Sequence, residues 1–179
     1  LDEPWLGDVL NPTYRDSEGI TNIEHELDLY VRSVNGAVDG IDGMSLSVHV
    51  CGHTSPTSPG NNTWAYDLLF EALSRMNVDR FTMAFSGPNI EGFQWLRYFP
   101  SDKILGLGVV ETNKAKIETT KEIVDRTERA MEFVSKDRIT LNPDCGFSPS
   151  RRNRRTLDEV YLRLRTMCHA AEILRDRHG

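Results

Sequence analysis

The stretch at 45–52, SLSVHVCG, constrains the fold of this chain more than any other. Apolar and polar residues alternate along it, which predicts a β-strand, and His49 and Cys51 lie at its carboxyl end. Residues two apart on a strand point to the same face, so the imidazole and the thiol can reach one ion together. The stretch therefore predicts half of a metal site. The alternative is a packing role, since free cysteine is among the residue types most often buried.

A second apolar run supplies the candidate for the other half of the site. It ends in TLNPDCGF, at 140–147, and carries Cys145. Zinc needs more than two protein ligands, and the carboxyl ends of parallel strands form the rim where active sites lie. We therefore predict a zinc site made of His49, Cys51 and Cys145. His53, in the loop after the first run, is either a further nearby ligand or a solvated side chain.

Strand and helix patterns alternate along the whole chain. Such alternation predicts a parallel sheet with right-handed crossovers, hence the α/β class. Eight strand-helix units close a barrel, so about five units predict a partial barrel of the (β/α)8, or TIM-barrel, type. The alternative is a complete, open, doubly wound sheet. The predicted strands are the opening residues, 45–52, 80–87, 104–111 and 139–142.

Local signals predict where several helices begin and end. Asn22 can cap a helix that we expect Gly36 and Gly40 to end. A capping box beginning at Thr156 opens the last helix. Cys168 falls on the apolar stripe of that helix, so we expect it to be a core residue.

Composition bounds the functional class. The chain has 179 residues, 39% of them apolar, which is enough for one domain with a real core. Its net charge of −6 argues against a nucleic-acid surface. No run approaches the length of a membrane span and no signal peptide is apparent, so we expect no membrane association and a cytoplasmic location. The three scattered cysteines favour reduced thiols over disulfides.

One short basic cluster precedes the last helix. We expect a solvated turn there, the alternative being a clamp for phosphate or polyglutamate. Its members are Arg151, Arg152, Arg154 and Arg155.

Four motifs together resemble a known family. LDEP, HVCG, the GLGVVE strand followed by KIETTKEIVDR, and NPDCGF occur in this order. They resemble the catalytic barrel of cobalamin-independent methionine synthase and its shorter paralogues, and the likeness covers nearly the whole chain. The resemblance implies that 1–179 is the carboxyl-terminal portion of such a barrel and that further sequence precedes it. The expected partners then include either the missing amino-terminal half or a second copy of the chain.

The resemblance also implies roles for individual residues. His49, Cys51 and Cys145 would hold a zinc ion that binds the acceptor thiol, and Asp2 would hold the amino group of a homocysteine-like acceptor. Glu111 would orient the donor or relay a proton, the alternative being a salt bridge at the rim. The implied activity is that of a 5-methyltetrahydropteroyltriglutamate-homocysteine S-methyltransferase, a methyltransferase of methionine biosynthesis with a folate-like donor.

Two positions depart from the family pattern. Ala84 stands at or near the position where the family has a glutamate ligand, and Asn113 stands where it has a histidine thought to assist proton transfer. Related zinc-dependent thiol alkyltransferases use His, Cys and Cys alone, and the metal pattern here is closer to theirs. The donor is therefore open between a folate, another methyl donor and an epoxide-like electrophile.

The chemistry has a basis independent of the family. A free thiol has a pKa of about 8.5, and coordination to zinc converts it to a thiolate at neutral pH. Three functions follow as hypotheses. The first is zinc-dependent alkyl transfer to a thiol; the second is a non-catalytic remnant with structural zinc; the third is a metal-free domain that binds a small molecule.

Overall fold

In the computed structural model, the described residues are 1–3, 5–51, 56–57, 65–112, 116–147 and 155–179. The predictions for His53 and Asn113 fall outside these ranges, as do those for the first three arginines of the basic cluster.

The sheet has five parallel strands in sequential order. Each strand pairs with the next one along the chain, whereas a doubly wound sheet reverses its strand order at a switch point. The order is therefore that of a barrel segment and not of an open doubly wound sheet. The strands are β1 (Asp2–Glu3), β2 (Ser47–Val50), β3 (Arg80–Ala84), β4 (Ile104–Val110) and β5 (Ile139–Pro143).

Helices connect successive strands. The α-helices are α1 (Pro12–Glu18), α2 (Ile23–Val38), α3 (Tyr66–Ser74), α4 (Thr120–Met131) and α5 (Leu157–His178), and 3-10 segments span Asp8–Leu10, Ile90–Tyr98 and Lys136–Arg138. Two predicted caps are present, since the side chain of Asn22 accepts from the His25 amide and a capping box opens α5 at Thr156. Within the described ranges, no helix is both long and apolar enough to span a membrane.

The two faces of the sheet differ in chemistry. Alternate strand residues such as Val48, Phe81 and Leu107 are fully buried and belong to the hydrophobic core. Right-handed crossovers place the connecting helices on one face, so the core lies between that face and the helices. The opposite face carries residues that pair in register across the sheet: Asp2, His49, Thr82, Gly106 and Thr140. This polar face carries His49, one of the predicted metal ligands.

Two local predictions were wrong. Gly36 does not end α2, which continues to Val38, and the turn comes at Gly40, whose φ is +72°. Cys168 is exposed and not part of the core. It lies two helical turns after Tyr161, which is 63% exposed, and on the same side of α5. An apolar stripe alone could not reveal this.

Candidate metal centre

Strand β2 brings His49 and Cys51 to one face. Val48 and Val50 point into the core, so the two ligand-type residues that alternate with them point away from it. The amide of Cys51 donates to the carbonyl of Glu3 at 3.3 Å, which extends the pairing with β1 beyond the end of β2. Strand geometry therefore holds the imidazole and the first sulfur side by side.

Cys145 reaches the same point from β5. Neighbouring strands lie about 4.8 Å apart, so β2 and β5, separated by two strands, would be about 14 Å apart in a flat sheet. The Sγ atoms of Cys51 and Cys145 are nevertheless 4.0 Å apart. Barrel-like curvature of the sheet and inward-pointing side chains account for the difference.

The three donor atoms form a compact cluster. One ligand atom each from His49, Cys51 and Cys145 lies within 4.8 Å of the others, and all three residues are half-buried. Tetrahedral zinc with bonds of about 2.0–2.3 Å keeps its ligands about 3.3–3.8 Å apart. Small side-chain movements would therefore close this cluster around an ion.

The imidazole is in a state suited to metal binding. Nε2 of His49 is buried and has no hydrogen-bond partner among the described residues. Burial lowers the pKa of His49, although the nearby Asp2 carboxylate opposes this shift. A neutral imidazole with an unused lone pair is the form that coordinates a metal.

The surroundings of the two sulfurs disfavour two thiolates side by side. Burial raises the pKa of the Cys145 thiol, and the adjacent Cys51 raises it further. Two neighbouring thiolates are therefore unfavourable without a cation, and a divalent ion would remove the conflict. The orphaned imidazole and the paired thiols fit zinc as a donor set.

A carboxylate that the sequence reasoning missed lies beside this cluster. Oδ1 of Asp144 accepts from the amides of Phe85 and Ser86, each at 3.3 Å, and the Ser86 hydroxyl donates to Oδ2. Burial raises the pKa of Asp144 to about 7, and the nearby charge of Glu111 adds to this effect. Asp144 is not among the clustered donor atoms.

The position of Asp144 bears on the departure at Ala84. Ala84 ends β3 and is 4% exposed, so a methyl group is packed where the family pattern has a glutamate. The Asp144 carboxylate covers the backbone just after it, and Gly108 on β4 leaves the room, since a Cβ there would clash with Oδ1. Two features of the sequence could have indicated this arrangement: a glycine, Gly108, inside the apolar run of β4, and an aspartate, Asp144, directly before Cys145.

The two remaining predicted site residues border the cluster. Asp2 pairs in register with His49, and its charge acts on both His49 and Cys145. Glu111 immediately follows β4, is half-buried, and its charge acts on Asp144. The structure thus brings His49, Cys51, Cys145, Asp2 and Glu111 to one rim, while the roles of these residues stay predictions.

Comparison with known proteins points to one family. Residues 37–173 match the family model described as cobalamin-independent synthase, catalytic domain. A methionine synthase of Pyrococcus horikoshii is 29% identical over 160 residues, which cover 89% of this chain and 42% of that protein. The Bacillus subtilis protein YxjG, which is described as uncharacterized, is 30% identical over 154 residues, covering 83% of this chain and 39% of that protein. The chain thus spans about two fifths of the length of these relatives.

A solved structure supports the fold. A B12-independent methionine synthase from Shewanella sp. W3-18-1, in complex with selenomethionine, superposes with a TM-score of 0.71 at 20% identity, covering 98% of this chain and 48% of that one. The similarity confirms the prediction of a partial (β/α)8 barrel. Because the family model matches well over half of the residues of this chain, the chain belongs to the cobalamin-independent synthase catalytic-domain family.

Proposed function

We propose that residues 1–179 are the carboxyl-terminal portion of a barrel that transfers a methyl or other alkyl group to a thiol. The reaction is zinc-dependent and methionine-synthase-like, with a homocysteine-like acceptor and a folate-like donor. Family membership supports a methyltransferase of methionine biosynthesis. The observation that carries the proposal is the convergence of His49, Cys51 and Cys145 around an imidazole nitrogen that has no hydrogen-bond partner among the described residues. The cytoplasmic location stays a prediction.

The ligand set suits the activation of a thiol. When bound, zinc would supply an open coordination position and would lower the pKa of an acceptor thiol there. The two cysteine ligands offset the charge of the ion, which keeps an incoming thiolate nucleophilic. Burial lowers the pKa of His49, which favours the neutral imidazole. The three donors lie on the polar face of the sheet and are only half-buried, so a substrate could reach them.

Asp2 and Glu111 have separate roles in this proposal. Asp2 binds the amino group of the acceptor, a role supported by its position beside His49 and its electrostatic effect on Cys145. Glu111 orients the donor or relays a proton. Its electrostatic effect on Asp144, the residue directly before Cys145, supports a place at the same rim.

One observation favours a second candidate reaction. Ala84 offers a methyl group at or near the position where the resemblance implies a glutamate ligand, so the described residues supply three clustered protein donors. A thiol alkyltransferase with a non-folate donor needs only His, Cys and Cys. Comparison of donors tests this alternative: turnover with a simple alkyl electrophile but not with a methylfolate would favour the paralogue, and the reverse would favour methionine synthesis.

Metal analysis of the whole chain tests the proposal. We expect one zinc per chain, a sulfur-rich shell in X-ray absorption spectra, and one additional sulfur ligand after homocysteine is added. Cys145→Ser should lower zinc affinity by at least about tenfold. Cys168→Ser is the matched control, because that thiol is exposed on α5 and should leave zinc binding unchanged.

The other outcomes separate the remaining hypotheses. A zinc shell that does not change when a thiol is added would indicate a structural ion. Failure to bind zinc at all would favour the metal-free binding domain and would contradict the proposal.

A further inference from the structure

The end of β4 is held by an unusual set of donors. Backbone carbonyls at four consecutive positions, 109–112, each accept a hydrogen bond from outside the strand. Buried carbonyls need such partners, and three of the four donors here are arginines, two of them on α4 and α5 and one just before α5. Nη1 of Arg126 donates to the Val109 carbonyl, and the Asp144 amide donates to the Val110 carbonyl at 2.9 Å. Nη1 of Arg163 donates to the Glu111 carbonyl at 2.7 Å, and Nε of Arg155 donates to the Thr112 carbonyl at 3.1 Å.

Glu111 is held at both of its backbone groups. Its amide donates to Oε1 of Glu118 at 2.9 Å, and its carbonyl accepts from Nη1 of Arg163 at 2.7 Å. The same arginine nitrogen lies 3.4 Å from Oε2 of Glu118. The three residues therefore form a closed ring, with α5 on one side and the segment before α4 on the other.

Both charged side chains of this ring are buried. The side chain of Arg163 is fully buried, and that of Glu118 is 8% exposed. Removing two charges from water costs several kcal/mol each, and apolar replacement of a buried ion pair is often neutral or stabilising. A gain in stability is therefore a weak reason for burying Arg163 and Glu118. A better reason is that the two side chains hold the backbone of Glu111 in one geometry.

The ring is connected to the metal cluster through two residues, Val110 and Asp144. The carbonyl of Val110, directly before Glu111, accepts from the amide of Asp144, and Asp144 directly precedes Cys145. One backbone hydrogen bond therefore joins the end of β4 to the residue before Cys145. The position of the Glu111 carboxylate relative to the cluster depends on the same backbone.

We infer that Arg163 and Glu118 are positioning residues that hold Glu111 at the rim for the transfer reaction. The inference rests on the proposed function, because it assigns Glu111 a part in that reaction. Neither positioning residue needs to touch substrate, since both act through the Glu111 backbone.

The first test measures the geometry without any activity. Glu118→Met/Arg163→Met removes both charges together and so avoids an unpaired buried ion. Amide hydrogen exchange is followed at Asp144, whose acceptor, the Val110 carbonyl, neither substitution removes. We expect exchange there to be faster by about tenfold or more.

A matched control comes from the opposite end of the same strand. Nη1 of Arg138 donates to the carbonyls of Pro100 and Lys103, both at 3.0 Å, just before β4 begins. Arg138→Met should leave exchange at Asp144 unchanged. Unchanged exchange in the Glu118→Met/Arg163→Met variant as well would overturn the inference.

The second test is kinetic. In the zinc-loaded barrel that contains this chain, we expect the double substitution to lower kcat by about 10- to 100-fold, with KM for homocysteine and zinc content unchanged. Glu111→Gln should produce a similar loss, and adding it to the double variant should cost little more. Arg163→Lys keeps the charge and one donor, so it should recover much of the activity. A full kcat in the double variant, or fully additive losses, would refute a positioning role.

The two failures are distinguishable. If the barrel that contains the unmodified chain binds no zinc or transfers no alkyl group, the proposed function fails, and the exchange measurement still decides whether the ring holds the rim. If the chain is active and exchange rises without any change in kcat, the inference fails while the proposed function stands.

Discussion

Gly108→Ala is the sharpest test of how the sheet supports the metal cluster. A Cβ at this position would lie 2.6 Å from the carbonyl oxygen of Met83 and 2.9 Å from Cα of Ala84, and closer still to Oδ1 of Asp144. Ordinary contact begins at about 3.4 Å, so β3 and β4 must separate by about 0.8 Å or Asp144 must leave its place. Two of these three atoms belong to the backbone, which cannot rotate away. We expect a loss of about 1–3 kcal/mol in the free energy of unfolding.

The same substitution should weaken metal binding. Asp144 is held by the amides of Phe85 and Ser86 and directly precedes Cys145, so displacing its carboxylate moves the thiol. Metal-ligand distances tolerate only about ±0.2 Å, which is less than the displacement required. We therefore expect zinc affinity to fall by about 10- to 100-fold.

Two measurements and one control decide the outcome. Urea unfolding of the metal-free chain gives the stability change, which corresponds to a fall in Tm of about 2–12 °C, and competition with a chromophoric chelator gives the zinc affinity. Gly146→Ala is the control because it also borders Cys145 but its Cβ would meet no described atom within 4 Å. Parental stability and zinc affinity in the Gly108→Ala variant would show that the contact between β3, β4 and Asp144 does not hold the site.

Three further predictions address the surroundings of the site. The hydrogen bond from Lys116, followed by that from the Thr119 backbone, lowers the pKa of Glu122 from 4.5 to about 2. The stability that Glu122 gains from these hydrogen bonds is therefore complete above pH 4.5 and is lost as the pH falls toward 2. In urea unfolding at a series of pH values, Glu122→Ala should reduce the loss of unfolding free energy on acidification by under about 1 kcal/mol. The same loss in the parent and the variant would argue against this prediction. Arg163→Ala leaves Glu118 buried without its arginine and should cost about 3–5 kcal/mol in urea unfolding, more than the double methionine variant; equal losses would contradict this. The end strands β1 and β5 each pair with a single neighbour in the described structure, so the chain by itself should dimerise or aggregate in light scattering, and a monomer that melts cooperatively would refute this.

Local features of this chain could be predicted from its residues. The strand period places His49 and Cys51 on one face whatever the rest of the fold does, because neighbouring side chains on a strand alternate. The caps at Asn22 and Thr156 satisfy backbone groups only a few residues away, so they too follow from the local sequence. The alternation of strands and helices implied parallel pairing, and the sequential strand order agrees with it.

Long-range packing decided the details that the sequence left open. Arg163 lies on a helix whose pattern gives no reason to expect a buried charge, because the default place of an arginine is in water. Its burial depends on Glu118 and on the Glu111 backbone, which come from distant parts of the chain. Cys168 shows the reverse case, since it falls on an apolar stripe and is nevertheless exposed.

By itself, the sequence determined the strand-helix order, the pairing of His49 with Cys51 on one face, and Cys145 as the residue to join them. Only the tertiary structure decided that sulfurs 94 residues apart approach within 4.0 Å, and that Asp144 is buried beside them. The physical reason is that spacing along a strand depends on bonded geometry and local contacts. The distance between β2 and β5 depends instead on how far the whole sheet curves, which is set by packing along its entire length.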